Sequence, residues 1–251
     1  MISVTLVGSG NVAHHLANAL SNAPNVVLDR WVVRTPSSVL IDINTKFSEK
    51  FDEPSSSQII ILAISDDAIA DYSASLNQSD ALLVHTSGSV NLHHMDKKHR
   101  RGVFYPLQTF SKNKPLEFSS IPICIEALQK EDLNLLTALA DALGCKSRVI
   151  SSEQRLALHL AAVFVNNFSN QMYRIAHEIT DGARLDFDLL KPLILETAMK
   201  VQDLSPYQAQ TGPALRKDQK TIKRHLKQLE KENHRLIYEL ITKSIQQTHG
   251  K

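Results

Sequence analysis

The stretch Val4-Thr-Leu-Val-Gly-Ser-Gly-Asn-Val-Ala-His-His-Leu-Ala17 joins a short apolar run to Gly8-x-Gly10-x-x-Ala13 and then to apolar residues at helical spacing. Gly8 permits a tight strand-to-helix turn, Gly10 lets backbone approach phosphates, and Ala13 is small enough for the helix to pack close to the strand. The helix N-terminus then turns unpaired N–H groups toward an anion. Ile2 to Val7 supplies the strand, and Val12, Leu16, Ala19 and Leu20 share one helix face, which is the context this pattern needs. The reading is a dinucleotide-binding turn that sets Gly8, Ser9, Gly10, Asn11 and Val12 on the cofactor; the alternative is an ordinary tight turn in a sheet protein.

Outward from that turn, apolar runs alternate with helical patterns through residue 150. The runs are Ile2–Val7, Arg30–Val33, Gln58–Ile64, Ala81–His85, Gly102–Tyr105, Ile121–Ile125 and Lys146–Ile150, with helices at Asn11–Ser21 and around Leu133–Leu143. Such alternation predicts an α/β fold with a Rossmann-type, doubly wound, mostly parallel sheet. The pattern changes at Ser151-Ser-Glu-Gln154, a capping box, after which only helical spacing is found. We therefore expect a dinucleotide-binding domain over 1–150 and an all-α domain over 151–251. Its helices are expected over Glu153–Thr180, over Arg184–Gln202 with a kink at Pro192, and over Lys217–Gln246 as one piece.

Composition excludes several classes. The 251 residues are 43% hydrophobic, and 28 basic residues balance 26 acidic ones, so no global field points to nucleic acid or a membrane. Cys124 and Cys145 lie far apart with no ligand-like spacing, which predicts buried thiols, no metal site and a reducing compartment. The chain enters its first strand without a leader pattern and has no apolar run of membrane-spanning length, so a cytoplasmic location is expected. The basic residues of the last helix read as a solvated face.

Ligands of open α/β sheets bind at the carboxyl ends of strands. After the second strand the chain reads Val33-Arg-Thr-Pro-Ser-Ser38, and Arg34 with Thr35 and Ser37 suits a 2′-phosphate, favouring NADP over NAD. Ile64-Ser-Asp-Asp67 follows another strand; Asp66 or Asp67 either caps the next helix, the preferred reading, or touches a ribose. His85-Thr86-Ser87 is suited to the nicotinamide side, and Tyr105, Gln108 and Thr109 follow the next strand around Pro106. At about 100° per residue, His159, Asn166, Asn170 and His177 fall within about 40° on one helix face, with Asn167 at its edge. Polar groups in an apolar helix need partners or a wet cleft. Arg216 lies near the start of the last helix, where it suits an anion.

Together these residues resemble a family of two-domain Rossmann-like proteins of unknown function, related to deazaflavin-dependent NADP oxidoreductase and pyrroline-5-carboxylate reductase. The likeness rests on Gly8-Ser-Gly-Asn-Val-Ala13, Ser65-Asp-Asp-Ala-Ile69, His85-Thr-Ser-Gly88, Pro106-Leu-Gln-Thr-Phe110, and His159-Leu-Ala-Ala162 with Asn166-Asn167. It extends to Thr211-Gly-Pro213 with Arg216, Asp218, Thr221 and His225. The resemblance implies an NADP-binding domain followed by a helical domain like that of 6-phosphogluconate dehydrogenase, which in such enzymes builds a homodimer and closes the active cleft. Two positions depart from related enzymes: Tyr105 stands where a His precedes Pro, and Ala162 or Val163 stands where a catalytic Lys precedes Asn.

The expected activity is NADP-dependent hydride transfer to or from a small carbonyl, imine or hydroxy-acid substrate. His159 would be the acid/base, Asn166 or Asn167 would orient the substrate and Ser87 would assist, with Tyr105, Gln108, Thr109, Asn170 and Arg216 on the substrate. The alternative is a catalytically inactive NADP-binding regulatory or scaffolding protein, to which the two departures point.

Overall fold

In the computed structural model, residues 1–33, 46–48, 57–112 and 114–250 are described. Eight strands form one sheet in the order β3-β2-β1-β4-β5-β6-β7-β8. They are β1 (Ile2–Val7), β2 (Val26–Val32), β3 (Lys46–Ser48), β4 (Ile59–Leu62), β5 (Leu82–His85), β6 (Arg100–Pro106), β7 (Ile123–Ala127) and β8 (Ser147–Val149). Every pairing is parallel except that of β6 with β7. The Rossmann-type reading of the sequence therefore holds. Strand β2 starts at Val26, not Arg30, because Val26 already pairs with Ile2 after a turn in which Asn25 takes positive φ. Strand β3 was not foreseen.

Both faces of this sheet are covered, which is why its strands are apolar without alternation. Successive side chains point to opposite faces, so Ile59 and Ile61 of β4 join one core cluster while Ile60 and Leu62 join another. Helices α1 (Asn11–Asn22) and α3 (Lys130–Ala142) pack on the first face through Leu16, Leu20, Leu136 and Leu139, and α2 (Ile69–Ser75) packs on the second through Ile69. Cys124 and Cys145 are buried free thiols, and burial pushes Cys145 up to about 11.

The last strand ends at Val149, and α4 (Ser152–Ala162) opens with the expected capping box, Ser151 and Gln154 bonding reciprocally. By packing, the chain divides into Met1–Asn166 and Asn167–Lys251, so α4 belongs with the sheet. Beyond α4 a π-helical segment, Val163–Phe168, leads into α5 (Ser169–Gly182). Its wider turn departs from the 100° per residue by which the polar face was counted.

The helical unit corrects two further expectations. Pro192 opens α6 (Lys191–Asp203) instead of kinking a longer helix, because a first-turn proline needs no N–H. The expected final helix is broken into α8 (Gln219–Gln228) and α9 (Glu232–His249), after the short α7 (Pro206–Ala209). At the break Leu229 is extended and its carbonyl accepts from Arg235 Nε at 2.6 Å, a side-chain substitute for the missing helical bond. Among the described residues, no helix is long and apolar enough to cross a membrane, and no three His, Cys, Asp or Glu gather as a metal site.

Candidate active site

The sheet order reverses between β1 and β4, and the carboxyl ends of these strands open a cavity of about 670 Å³. Gly8 makes the turn from β1 at φ 125°, and a Cβ there would lie 2.1 Å from the Ala63 carbonyl oxygen. Only glycine permits both. The turn is pinned on its other side by Trp31, whose indole N–H donates to the Gly8 carbonyl at 2.7 Å. Gly10 occupies the cap position of α1 with no side-chain cap, no acidic residue stands in the first turn, and a Cβ on Gly10 would meet nothing within 4 Å. Open space over uncapped N–H groups is what a pyrophosphate needs, so these residues fit a dinucleotide.

Of the residues expected on a cofactor, Gly8, Ser9, Gly10, Asn11, Val12, Ile64, Ser65 and Thr86 line the cavity. The Asn11 amide is engaged, donating to the Phe110 carbonyl at 2.8 Å, and His15 Nε2 lies 3.0 Å from the Ser111 carbonyl. These two bonds hold the loop after β6 against the start of α1. Neither Asp66 nor Asp67 caps a helix through its side chain; Ser65 takes the cap position, and Asp66 accepts a short hydrogen bond from the Ser89 hydroxyl. Arg34, Thr35 and Ser37 lie outside the described residues. The lining residues Ala68 and Tyr72, one turn apart on the helix after Ser65, were missed. Their helical spacing was the available signal.

The loop after β5 is built from its own side chains. His85 is fully buried, accepts from the Ser87 backbone N–H at Nδ1 (3.1 Å), and leaves Nε2 without a partner among the described residues. Burial, reinforced by the nearby Arg155 cation, pushes His85 down to about 3, so the ring is neutral. The Ser87 hydroxyl accepts from the backbone N–H groups of Ser89 and Val90 at 3.0 Å each, so it shapes the turn.

Arg155, which sequence reasoning passed over, anchors this loop from α4. It is fully buried and donates to the carbonyls of Val90 (2.6 Å) and Ser87 (3.4 Å) and to Glu126 Oε2 (3.4 Å). Ser152 completes the cluster by donating to Glu126 through both its backbone N–H and its hydroxyl. The only prior signal was a charge at the end of the apolar run Ile123–Ile125 and another inside a helix.

The same anchored turn brings His159 to Tyr105, whose hydroxyl lies 3.0 Å from His159 Nδ1. Gly88 adjoins the pair, two residues after the cavity-lining Thr86. Within the sheet unit, Gln108, Thr109 and Asn166 are not drawn into this cluster. Gln108 accepts from the Thr109 backbone N–H, Thr109 is exposed, and Asn166, Asn167 and Asn170 are exposed on their helix. Arg216 is exposed before Asp218, which caps α8.

Residues 121–245 match a family described as "Domain of unknown function (DUF2520)". The fold is similar to the crystal structure of a "putative NADP oxidoreductase" from Bacteroides fragilis, with 36% identity over 98% of both chains and a TM-score of 0.89. It is also similar to a Thermotoga maritima protein, with 22% identity over 98% of both chains and a TM-score of 0.74. A Streptomyces aurantiacus imine reductase shares 14% identity over 98% of this chain and 95% of its own, with a TM-score of 0.70. Among curated proteins, none matches the chain in sequence.

Proposed function

We propose that this chain, which belongs to the same two-domain Rossmann-like family as the Bacteroides fragilis protein, is an NADP-dependent oxidoreductase acting on a small carbonyl, imine or hydroxy-acid compound. The observation that carries the reading is the glycine-built cavity whose wall residue Thr86 stands two positions from Gly88, against which Tyr105 and His159 pair. When bound, a nicotinamide dinucleotide supplies or accepts a hydride. Gly8, Ser9, Gly10 and the first turn of α1 hold its pyrophosphate. Arg34, Thr35 and Ser37, directly after Val33, suit its 2′-phosphate by charge and donors.

His159 is the acid/base that exchanges a proton with the substrate oxygen or nitrogen. Asn166 is proposed to orient the substrate. Ser87 contributes by shaping the loop. The 36% identity to the "putative NADP oxidoreductase" from Bacteroides fragilis supports the oxidoreductase reading.

A calorimetric titration of NADP, NADPH, NAD and NADH against the wild type and Arg34→Ala tests the cofactor half. A preference for NADP that Arg34→Ala abolishes is expected, and an NAD preference indifferent to that change overturns it. A panel of cyclic imines, α-keto acids and hydroxy acids, followed by NADPH absorbance, tests the reaction. A second reading, a binding protein without catalysis, is favoured by Ala162 and Val163 where related enzymes carry a lysine. It predicts tight NADPH binding with no turnover across the panel.

The helical unit supports a homodimer. Among its described residues only Ala214, Ile222 and His234 are buried, while Leu193, Leu195, Met199, Leu236 and Leu240 are exposed. A unit this size with so little core needs further apolar surface to cover its helices. A second copy offers the same faces, and self-complementary pairing is the commonest solution.

A further inference from the structure

Resting on the oxidoreductase reading, the geometry points to Tyr105 as the residue that positions His159 for proton transfer, with Gly88 as the residue whose missing side chain lets the two meet. Tyr105 is 8% exposed and paired across the sheet with Cys124 of β7, so its hydroxyl has a fixed place. His159 follows the buried Arg155 by one helical turn, and its ring stands edge-on to Tyr105 at 71° with centroids 6.0 Å apart. Two rigid elements therefore deliver the 3.0 Å contact between the hydroxyl and Nδ1. Neither partner is held by a flexible loop.

The chemistry of this pair differs from that of a carboxylate and histidine. Burial lifts the Tyr105 phenol above its ordinary value, so it stays a neutral hydroxyl and is not itself the proton source. A hydroxyl accepts from Nδ1–H when the ring is cationic and donates to Nδ1 when that nitrogen is bare, so it holds the ring in either state. With Nδ1 occupied, Nε2 is the nitrogen left to release and recover a proton. In reduction, where a bound cofactor would supply a hydride to form the new C–H bond at the substrate carbon, the oxygen or nitrogen that takes up the π electrons of the C=O or C=N bond receives the Nε2 proton. The imidazolium becomes imidazole and regains its proton from water.

Gly88 is the steric condition. A Cβ there would lie 2.4 Å from His159 Nδ1, 2.7 Å from its Cγ and 2.9 Å from Tyr105 Cζ. Gly88 is not among the glycines with positive φ, so glycine serves here to leave room. Arg155 fixes that room by gripping the carbonyls of Ser87 and Val90 on either side.

The test uses full-length protein labelled with ¹⁵N-histidine, without cofactor. In Tyr105→Phe, the His159 Nδ1 resonance is expected to move while Nε2 moves less; in Gly88→Ala the same resonance moves although Tyr105 is present. Both variants are checked for wild-type far-ultraviolet dichroism, and Tyr105→Phe, which removes one oxygen, serves if Gly88→Ala fails to fold. An Nδ1 resonance unmoved in Tyr105→Phe overturns the pairing whatever the activity. With NADPH and the best-reduced panel compound, Tyr105→Phe is expected to lower kcat by roughly tenfold and His159→Ala by roughly a hundredfold. The KM for NADPH should hold in both, because neither residue lines the cavity. A uniform loss in kcat and NADPH affinity makes Tyr105 merely structural and overturns the positioning role. An Nδ1 resonance that moves, with turnover indifferent to His159→Ala, leaves the pair standing and sinks the acid/base assignment of the oxidoreductase reading instead.

Discussion

Arg155 donates to the carbonyl of Val90 at 2.6 Å across 65 positions of sequence, and in doing so ties the first helix after the sheet to the loop that ends β5. The guanidinium is fully buried and ion-paired with Glu126 at 3.4 Å. Removing Arg155 takes the donor from the carbonyls of Val90 and Ser87 and leaves the half-buried Glu126 with Ser152 in place of a cation. Arg155→Leu is therefore expected to lower stability by about 3 kcal/mol, read as a fall in the urea midpoint at unchanged slope. A variant within about 0.5 kcal/mol of wild type would show that the cluster contributes no net stability.

Gly8→Ala meets two obstacles at once, a positive φ and a Cβ 2.1 Å from the Ala63 oxygen. The expected outcome is a loss of about 2–4 kcal/mol, or no folded protein, with NADPH binding absent in what remains. Gly10→Ala, with open space over its Cα, should fold normally and lose cofactor affinity alone. Calorimetric titration of the two variants separates these outcomes; equal NADPH affinity in Gly10→Ala and wild type would remove that position from the pyrophosphate site.

His85 titrates near 3 in the fold and near its ordinary value when unfolded. Between those values the unfolded chain binds the extra proton, so stability rises with pH there. The contribution is fully present above about pH 6.5 and is lost as pH falls toward 3, at up to about 1.4 kcal/mol per pH unit. His85→Asn keeps an acceptor but not the titration. Urea midpoints between pH 4 and 7 should fall more steeply with acid in the wild type than in this variant, and parallel curves would contradict the neutral buried ring.

If a second copy covers the helical unit, charges on its exposed leucines should prevent association. Leu193→Glu combined with Leu240→Glu is expected to convert a dimer to a monomer in sedimentation equilibrium, with a lower thermal midpoint. A monomeric wild type at tens of micromolar contradicts the proposal.

The turn at Gly8 was legible because its chemistry is local: strand, glycines, small residue and helix follow one another within fourteen positions. The sheet was legible for a related reason, since strands buried on both faces read as continuous apolar runs. The Arg155, Glu126 and Ser152 cluster was not, because the partners meet only when β7 and α4 are already packed. The break after Gln228 is marked by neither Gly nor Pro and depends on Arg235 reaching back to the Leu229 carbonyl. Pro192 was read for its ability to bend a helix when its position made it a start. The segment Val163–Phe168 leaves no compositional mark, yet its wider turn departs from the 100° per residue that simple counting assumes. His159 and Tyr105 were each singled out by sequence, but their contact depends on Gly88, whose spacing role has no local signature.

Trp31 is the sole tryptophan in the chain, and it is fully buried with its N–H on the turn that Gly8 makes. All indole fluorescence therefore originates beside the glycine turn. Its emission overlaps the absorbance of a reduced nicotinamide, so occupancy of the cavity registers as quenching with no label attached. The same chromophore sits in the core of the sheet unit, and its spectral shift on denaturation reports the melting of that unit while remaining silent on the helical one.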